Sequence, residues 1–363
     1  MQTGSQFTNS PTVFAMVSSG YDLLELEFTF PTDLLICIMK KSRSPKEEHE
    51  MNYTLAGIPM KNYLVASSSP LTESVERLIC CKEAHFSAAI LKSCANYKRI
   101  GMGYGRKIVY VKNGYYADAS FENEILTLNE GVELFQNAHS LIRDDMLLIP
   151  SVSALSLEAT EWINSCKQFE KLGAKVIQLD FFYLGTLKHN DEFYQSLKIL
   201  LSTLKKHLDC MVMPKLNLKF EPNKICKTLK DSGISYVSLL DSIRENPDKK
   251  YNLHPDNTSY FGPKQLPLTL EYLKAAKKHG LFVCAGGGIA KREDVEVLIQ
   301  NGADMIQVAS YVLNRGYSFT KDLLPDTVDY DFHNPILKHN PWCDSQRPGD
   351  CDHCGACAPH ILP

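Results

Sequence analysis

Short apolar runs alternate with longer amphipathic stretches along most of the chain, from about residue 49 to about residue 318. This alternation is typical of repeated βα units, in which helices cover buried parallel strands. Eight of the runs are predicted to be strands: Tyr63–Ala66, Ala88–Leu91, Met146–Ile149, Val176–Leu179, Cys210–Met213, Tyr236–Leu240, Leu281–Val283 and Met305–Val308.

The amphipathic stretches end at glycines that precede strands. The clearest helix is predicted to start at the N-cap Ser156, to carry apolar residues at helical spacing and to end at Gly173. The same order of helix, glycine and strand recurs at Gly233, Gly280 and Gly302. The repetition indicates one sheet made of successive βα units.

The size of this region favours a closed barrel. Tyr63 to Val312 spans about 250 residues, the usual size of a (β/α)8 barrel. An open doubly wound sheet is the alternative, but its Gly-rich phosphate loop would follow the first strand. Here a Ser-Ser-Ser-Pro run follows that strand, and the glycines come after the seventh. We therefore predict an α/β protein with a (β/α)8 TIM barrel, an N-terminal extension and a Cys-rich C-terminal tail.

A charged, turn-rich run at residues 40–48 follows an N-terminal stretch with weak periodicity. Runs of this kind are typical of exposed connectors. The predicted domains are an extension over residues 1–48, the barrel over residues 49–318 and the Cys-rich tail over residues 319–363.

The composition is that of an ordinary globular protein. Of 363 residues, 44% are hydrophobic and 22% are charged, which excludes mainly disordered, collagen-like and small disulfide-stapled chains. A formal net charge of -3 gives no general attraction to nucleic acid or anionic membranes. The apolar runs are too short to span a membrane, and no signal-peptide pattern opens the chain. We expect a soluble cytoplasmic protein without nucleic-acid or membrane partners.

Functional groups of a (β/α)8 barrel follow the carboxyl ends of its strands. The candidates at these positions are Ser67, Ser68, Lys92, Asp180, Tyr183, Lys215, Asn217, Asp241, Ser242, Gly286, Gly287, Gly288, Ala309 and Ser310. The three glycines after the seventh strand leave backbone N–H groups open to a phosphate, although three glycines are also a common flexible turn.

Lys92 and Lys215 each directly follow an apolar strand, so their ammonium groups are predicted to point into the barrel mouth. A lone lysine is usually a solvated surface residue. Two lysines at strand ends opposite a phosphate loop favour an electron-rich cofactor or an anionic substrate.

Several segments resemble the FMN-dependent dihydroorotate dehydrogenases (DHODH) and the flavin domain of dihydropyrimidine dehydrogenase. They are Ala56–Ser68, Leu91–Asn96, Pro214–Leu216, Cys284–Ile289 and Gln307–Ser310, and the likeness extends over residues 55–314. The resemblance implies an FMN site formed by Ser67, Ser68, Lys92, Lys215, Ser242, Gly286, Gly287, Gly288, Ala309 and Ser310, with both lysines at the flavin ring.

The substrate region departs from that family. Its Asn-Leu-Ser-Cys-Pro-Asn segment, which carries the catalytic Cys or Ser, is replaced by Asp180–Gly185. Its Asn-Thr pair is replaced by Asp241 and Ser242, and its Gly-Gly-Leu-Ser-Gly turn is reduced to Ser259–Pro263. Two carboxylates in place of amides should repel orotate, which is an anion. We therefore expect a different small substrate.

Asp241 and Asn217 are the predicted substrate-binding residues, and Tyr183 and Asp180 are the predicted catalytic ones. A phenol is a poor base but a serviceable acid, so Tyr183 suits protonation of one carbon of a C=C bond. Alternatively, Tyr183 belongs to an aromatic cluster with Phe181 and Phe182. The two aspartates could accept hydrogen bonds from an amino or amidine group, or cap strand ends.

Four of the twelve cysteines lie close together near the C-terminus: Cys343, Cys351, Cys354 and Cys357. A Cys-x2-Cys-x2-Cys triplet resembles the first three ligands of a bacterial ferredoxin cluster, which favours [4Fe–4S] with Cys343 as the fourth ligand. The alternatives are zinc, with Cys343 or a nearby histidine completing the set, and free thiols. The other eight cysteines lie among apolar neighbours and are predicted to pack as small hydrophobes.

Together these features predict an FMN-dependent oxidoreductase acting on CH–CH bonds, with the C-terminal cluster as an electron route. The predicted partners are a small-molecule substrate, an electron-transfer protein and a second copy of the chain in a homodimer. Two alternatives remain: a non-redox phosphate-binding isomerase, lyase or synthase, and a non-catalytic relative that serves as a binding partner.

Overall fold

The predicted strand segments form β-strands that close on one another in a parallel sheet. The strands of the computed structural model are, in chain order, β1 (Tyr53–Leu55), β2 (Ile58–Met60), β3 (Leu64–Ala66), β4 (Ala88–Ile90), β5 (Cys94–Ala95), β6 (Lys107–Val111), β7 (Gly114–Asp118), β8 (Leu126–Thr127), β9 (Leu147–Ile149), β10 (Ser151–Ser153), β11 (Val176–Asp180), β12 (Met211–Lys215), β13 (Tyr236–Ser238), β14 (Ile243–Arg244), β15 (Thr258–Phe261), β16 (Phe282–Gly286) and β17 (Met305–Val308).

The structure describes residues 53–96, 107–111, 114–118, 125–245, 247–253, 258–326 and 328–338. The predicted N-terminal extension and the four C-terminal cysteines, Cys343, Cys351, Cys354 and Cys357, lie outside these ranges, as does Cys37. The domain boundaries and the metal or cluster site therefore stay predictions.

The barrel closes because its last strand pairs with its first: Ile306 of β17 lies opposite Leu64 of β3. The third barrel strand is β9 together with β10, which are separated by Pro150. Proline has no N–H group for the ladder, but its carbonyl accepts a hydrogen bond from the Gln178 N–H at 2.8 Å. β9 pairs with β4 and β10 pairs with β11, so the ring is continuous. All eight predicted strands and the (β/α)8 barrel are confirmed.

The helices are α1 (Val75–Glu83), α2 (Leu128–Ile142), α3 (Ala159–Lys171), α4 (Asp191–His207), α5 (Pro222–Asp231), α6 (Leu266–Lys278), α7 (Arg292–Gln300) and α8 (Ser310–Arg315). Gly173 after α3 has a φ of 95°, which is the left-handed conformation that glycine adopts readily at a helix end. The predicted N-cap Ser156 is wrong, because α3 follows Glu158 and the Ser156 hydroxyl accepts the Glu158 N–H in the preceding turn. None of the helices within the described ranges is long and apolar enough to cross a membrane.

The barrel interior is apolar at its amino end and polar at its carboxyl end. The apolar end contains Val65, Ala88, Ile90, Ile149, Val176, Met213, Cys284 and Met305. The β1–β2 hairpin inserts Leu55 among these residues and forms the barrel floor. Towards the carboxyl end the buried residues are Ser151, Gln178, Lys215, Ser238 and Gln307. This layering places the polar chemistry next to the mouth.

The seven cysteines in the described ranges carry free thiols, and six of them are buried: Cys80, Cys81, Cys94, Cys166, Cys226 and Cys284. Cys210 is half-buried. Their predicted packing as small hydrophobes is confirmed.

A second, antiparallel sheet lies at the mouth and was not predicted. Its strand order is β14-β15-β7-β6, with Tyr260 opposite Tyr116 in the central pair. Residues 258–261 are thus a strand, where the reduced turn at Ser259–Pro263 was expected. We call this sheet the roof sheet.

Candidate active site at the barrel mouth

A cavity occupies the mouth of the barrel, between the carboxyl ends of the strands and the roof sheet. Thirteen of the fourteen predicted site residues line it: Ser67, Ser68, Lys92, Asp180, Tyr183, Lys215, Asp241, Ser242, Gly286, Gly287, Gly288, Ala309 and Ser310. The strand ends bring these residues together from positions up to 243 residues apart in the chain, counted from Ser67 to Ser310.

Asn217 is the predicted residue that does not line the cavity. It is 4% exposed, and its Nδ2 donates to the Phe181 carbonyl at 2.7 Å. Its Oδ1 accepts the Lys219 N–H at 2.9 Å. The amide therefore holds the loop after β11 against the loop after β12 and has no free group for a substrate.

Lys215 is almost fully buried between two carboxylates. Its side chain is 9% exposed, and its Nζ lies 3.3 Å from the Asp241 Oδ1. Burial alone would lower the pKa of Lys215, but the charges of Asp241 and Asp180 outweigh burial and raise it. Lys215 is thus held as a cation whose charge is already balanced within the protein.

Asp241 occupies a less favourable environment. Burial raises the pKa of its carboxyl group; the Lys215 ammonium opposes this rise and the Asp180 charge adds to it. The Asp241 Oδ1 also accepts the Ser242 N–H at 3.2 Å. Its Oδ2 is buried and has no hydrogen-bond partner among the described residues. An unsatisfied acceptor of this kind is costly in a folded protein unless a ligand supplies a donor.

Ser93 connects Asp180 to a line of hydroxyl groups, and sequence reasoning missed it. Its Oγ donates to the Asp180 Oδ2 at 2.6 Å. A hydroxyl has one proton to donate, so Ser93 accepts from Ser68 at 3.1 Å and from Ser151 at 2.9 Å. Ser151 in turn accepts from the Gln178 Nε2 at 2.9 Å. The position of Ser93 directly after Lys92 was the feature of the sequence that could have identified it as a site residue.

Lys92 lines the same cavity in a different setting. It is half-buried, and within the described ranges it has neither an ion pair nor a hydrogen bond through its ammonium group. Its positive charge is therefore available to a ligand in a way that the charge of Lys215 is not.

Tyr183 both lines the cavity and packs in a small aromatic group. It is 8% exposed and contacts Ala95, Ile125 and Phe182, with an edge-to-face distance of 5.1 Å between the Phe182 and Tyr183 rings. Phe181 does not join this group, because it packs edge-to-face with Trp162 at 5.8 Å. The predicted cluster of Tyr183 with Phe181 and Phe182 is therefore wrong for Phe181.

The glycine turn after β16 is required by packing within the protein. A Cβ at Gly287 would lie 2.8 Å from the Gln265 side chain, and a Cβ at Gly288 would collide with the Leu266 backbone. Both glycines have positive φ, at 102° and 91°. Their N–H groups find no acceptor within the described part of the chain. The Ser310 N–H, at the start of α8, has no intrahelical acceptor either.

Two aromatic rings of the roof sheet cover the cavity. Tyr115 and Phe261 stack at 4.9 Å with an interplanar angle of 17°, and both line the cavity. The Arg244 guanidinium lies 5.1 Å from the centre of the Phe182 ring and joins the roof sheet to the loop after β11. Aromatic side chains thus form part of the cavity wall.

Comparison with known proteins shows the fold. The chain matches no protein-family model and no curated protein. Among solved structures, it is similar to the DHODH of Eimeria tenella in complex with ferulenol, with a TM-score of 0.58. The two sequences are 10% identical over 77% of this chain and 84% of that chain. The predicted DHODH-like barrel fold is confirmed.

Proposed function

We propose that this protein is an FMN-dependent oxidoreductase that reduces or oxidises a C–C bond of a small substrate other than orotate. The observation that carries the proposal is the content of one cavity: unpaired backbone N–H groups after β16 and at the start of α8, and two lysines, one after β4 and one at the end of β12. A non-redox phosphate enzyme would have a use for the N–H groups but not for both lysines.

The glycine turn supports a phosphate group at one side of the cavity. The N–H groups of Gly287, Gly288 and Ser310 are donors without acceptors in the described chain, and such clusters bind phosphate oxygens. Gly286 and Ala309 line the same side. These five residues would hold the FMN phosphate.

Other residues that line the cavity support the flavin ring. Ser67, Ser68 and Ser242 offer small polar groups, Lys92 offers positive charge where a reduced flavin gains electron density, and the Lys215 ammonium offers N–H donors. When bound, FMN would supply two-electron hydride chemistry. The protein's own part is to orient the substrate and to manage the proton.

Tyr183 is the proposed proton donor. Reduction of a C=C bond adds a hydride to one carbon and a proton to the other, so the protein must supply an acid on the far side of the substrate. Tyr183 lines the cavity, and its ring is held by Phe182, Ala95 and Ile125. Asp180 would help to orient the substrate, since the Ser93 hydroxyl fixes its carboxylate at 2.6 Å.

The C-terminal cysteines are proposed to deliver electrons. Cys343, Cys351, Cys354 and Cys357 would bind a [4Fe–4S] cluster that exchanges electrons with an external electron-transfer protein. Iron and zinc analysis of the purified full chain separates this proposal from a zinc site. About four irons per chain support the cluster, and stoichiometric zinc without iron overturns it.

The visible absorption spectrum tests the flavin proposal. Protein purified without air and supplied with FMN should show the two-band flavin envelope after gel filtration, and dithionite should bleach it. Protein that stays colourless at saturating FMN would overturn the proposed function and leave the non-redox and non-catalytic alternatives.

A further inference from the structure

Three neighbouring strands end in charged side chains at one side of the cavity. Asp180 of β11 lies in register with Lys215 of β12, and Asp241 follows β13. The Lys215 ammonium lies 3.3 Å from Asp241 and interacts with Asp180 through charge. Two carboxylates around one ammonium formally leave one excess negative charge. We call Asp180, Lys215 and Asp241 together the acidic side of the cavity.

The two carboxylates differ in what they still lack. Both oxygens of Asp180 accept hydrogen bonds, from the Ser93 hydroxyl at 2.6 Å and from the Phe182 N–H at 3.1 Å. Asp241 has donors on Oδ1 only, and its Oδ2 has no partner within the described ranges. The acidic side therefore lacks a donor at Asp241 and a positive charge overall.

We infer that the substrate is a planar nitrogen heterocycle with an amidine edge, that is, an amino group beside a ring nitrogen, and that it has no carboxylate. This inference rests on the proposed function and names its substrate class. An amidine edge presents N–H donors and takes up positive charge, so it can donate to the Asp241 Oδ2 and balance the excess negative charge of the acidic side. Tyr115 and Phe261 line the cavity, and aromatic side chains pack well against a planar ring.

Other ring substrates match the acidic side less well. A ring carboxylate such as that of orotate would add a third negative charge beside Asp180 and Asp241, and Lys215 is already paired. A neutral ring such as uracil can donate one ring N–H to the unpartnered Asp241 oxygen, but its flanking carbonyl groups turn lone pairs towards the carboxylate and it brings no positive charge. Neither ring therefore balances the excess negative charge of the acidic side.

Binding of three matched rings tests the inference. The probes are 2,4-diaminopyrimidine, uracil and orotate, measured by perturbation of the flavin spectrum in the FMN-loaded full chain. We expect 2,4-diaminopyrimidine to bind at least about tenfold more tightly than the other two, because its hydrogen bonds are charge-assisted. Tighter binding of uracil or orotate overturns the inference.

Two variants sharpen the test. Asp241→Asn should weaken 2,4-diaminopyrimidine by at least about tenfold and should not weaken uracil. Asp231→Asn, an exposed change of the same charge on α5, is the control and should alter neither. If Asp241→Asn does not fold, Asp180→Asn takes its place and should also weaken 2,4-diaminopyrimidine but not uracil, because it removes the other negative charge of the acidic side. Equal effects on both rings overturn the inference.

Calorimetry with flavin-free protein separates this inference from the proposed function. Failure to bind FMN overturns the proposed function, whereas a preference for 2,4-diaminopyrimidine in the same protein still supports the substrate class. FMN binding together with tighter binding of uracil or orotate supports the proposed function and overturns the inferred substrate class.

Discussion

The acidic side of the cavity and the glycine turn are made from different parts of the chain. The acidic side uses side chains: Asp180, Lys215 and Asp241 are charged groups that hold one another in place. The glycine turn uses backbone N–H groups, and the absence of side chains there is enforced by Gln265 and Leu266. A single substitution can therefore change the chemistry of the acidic side, whereas at the glycine turn it mainly disturbs packing.

The largest expected effect concerns Tyr183, which lines the cavity. Tyr183→Phe removes the transferable proton and keeps the ring, so turnover should fall by roughly 10²–10⁴-fold with flavin content unchanged. Steady-state kinetics and flavin absorbance measure both quantities. Tyr183→Ala is the control for packing and should lower the unfolding free energy by about 3 kcal/mol. Normal turnover by Tyr183→Phe would move the acid role to Asp180 or to water.

Removing the charge of Lys215 should unbalance the acidic side. Lys215→Met leaves Asp180 and Asp241 buried without their cation, which should lower the unfolding free energy by about 3–5 kcal/mol. Urea denaturation measures the loss. The double variant Lys215→Met with Asp241→Asn removes one of the stranded charges and should recover part of it. An additive double variant would show that the two residues do not interact.

The glycine turn is tested by adding a side chain. Gly287→Val would meet Gln265 and Thr269 and adopt a φ of 102°, so it should lower the unfolding free energy. Gly57→Val is the matched control, because Gly57 has a φ of 77° and open space around it. Gly287→Val should cost about 1–3 kcal/mol more than the control, through overpacking alone. Equal losses would show that the space at Gly287 is not restricted.

The smallest expected effect distinguishes the two lysines. Lys92 has no ion-pair partner in the described chain, so its replacement leaves no carboxylate without a cation. Lys92→Gln should therefore change the unfolding free energy by no more than about 0.5 kcal/mol. Its effect should fall on the cofactor, with FMN binding weakened by about tenfold. Lys171→Gln, on α3 and outside the cavity, is the control. A loss of stability as large as that of Lys215→Met would contradict the difference between the two lysines.

The strands and the barrel could be predicted because their signals are local. A buried parallel strand is a short apolar run, and Gly173 ends α3 in a left-handed conformation that its position after the helix indicates. The list of residues at the mouth followed from the same reasoning, since side chains after the strands of a closed barrel must meet at one end. Thirteen of the fourteen predicted residues line the cavity.

What could not be predicted depends on partners distant in the chain. Asn217 has the right position after β12, but its amide binds Phe181, 36 residues away. Gly287 has no room for a side chain because the Gln265 side chain occupies the space. The roof sheet pairs residues 115–118 with residues 258–261. Neither sequence stretch predicts its partner by itself. The partnerless Asp241 oxygen likewise appears only when the neighbours of the carboxylate are known.

The hairpin floor of the barrel belongs to an apolar layer that contains none of the residues that line the cavity. Leu55 closes an apolar layer contributed by strands all around the barrel, at the end opposite the cavity. Substitutions at the mouth leave that layer intact, so natural variation can exchange one substrate chemistry for another while the barrel persists. A sequence only 10% identical to a DHODH of the same fold is the outcome that such a division permits.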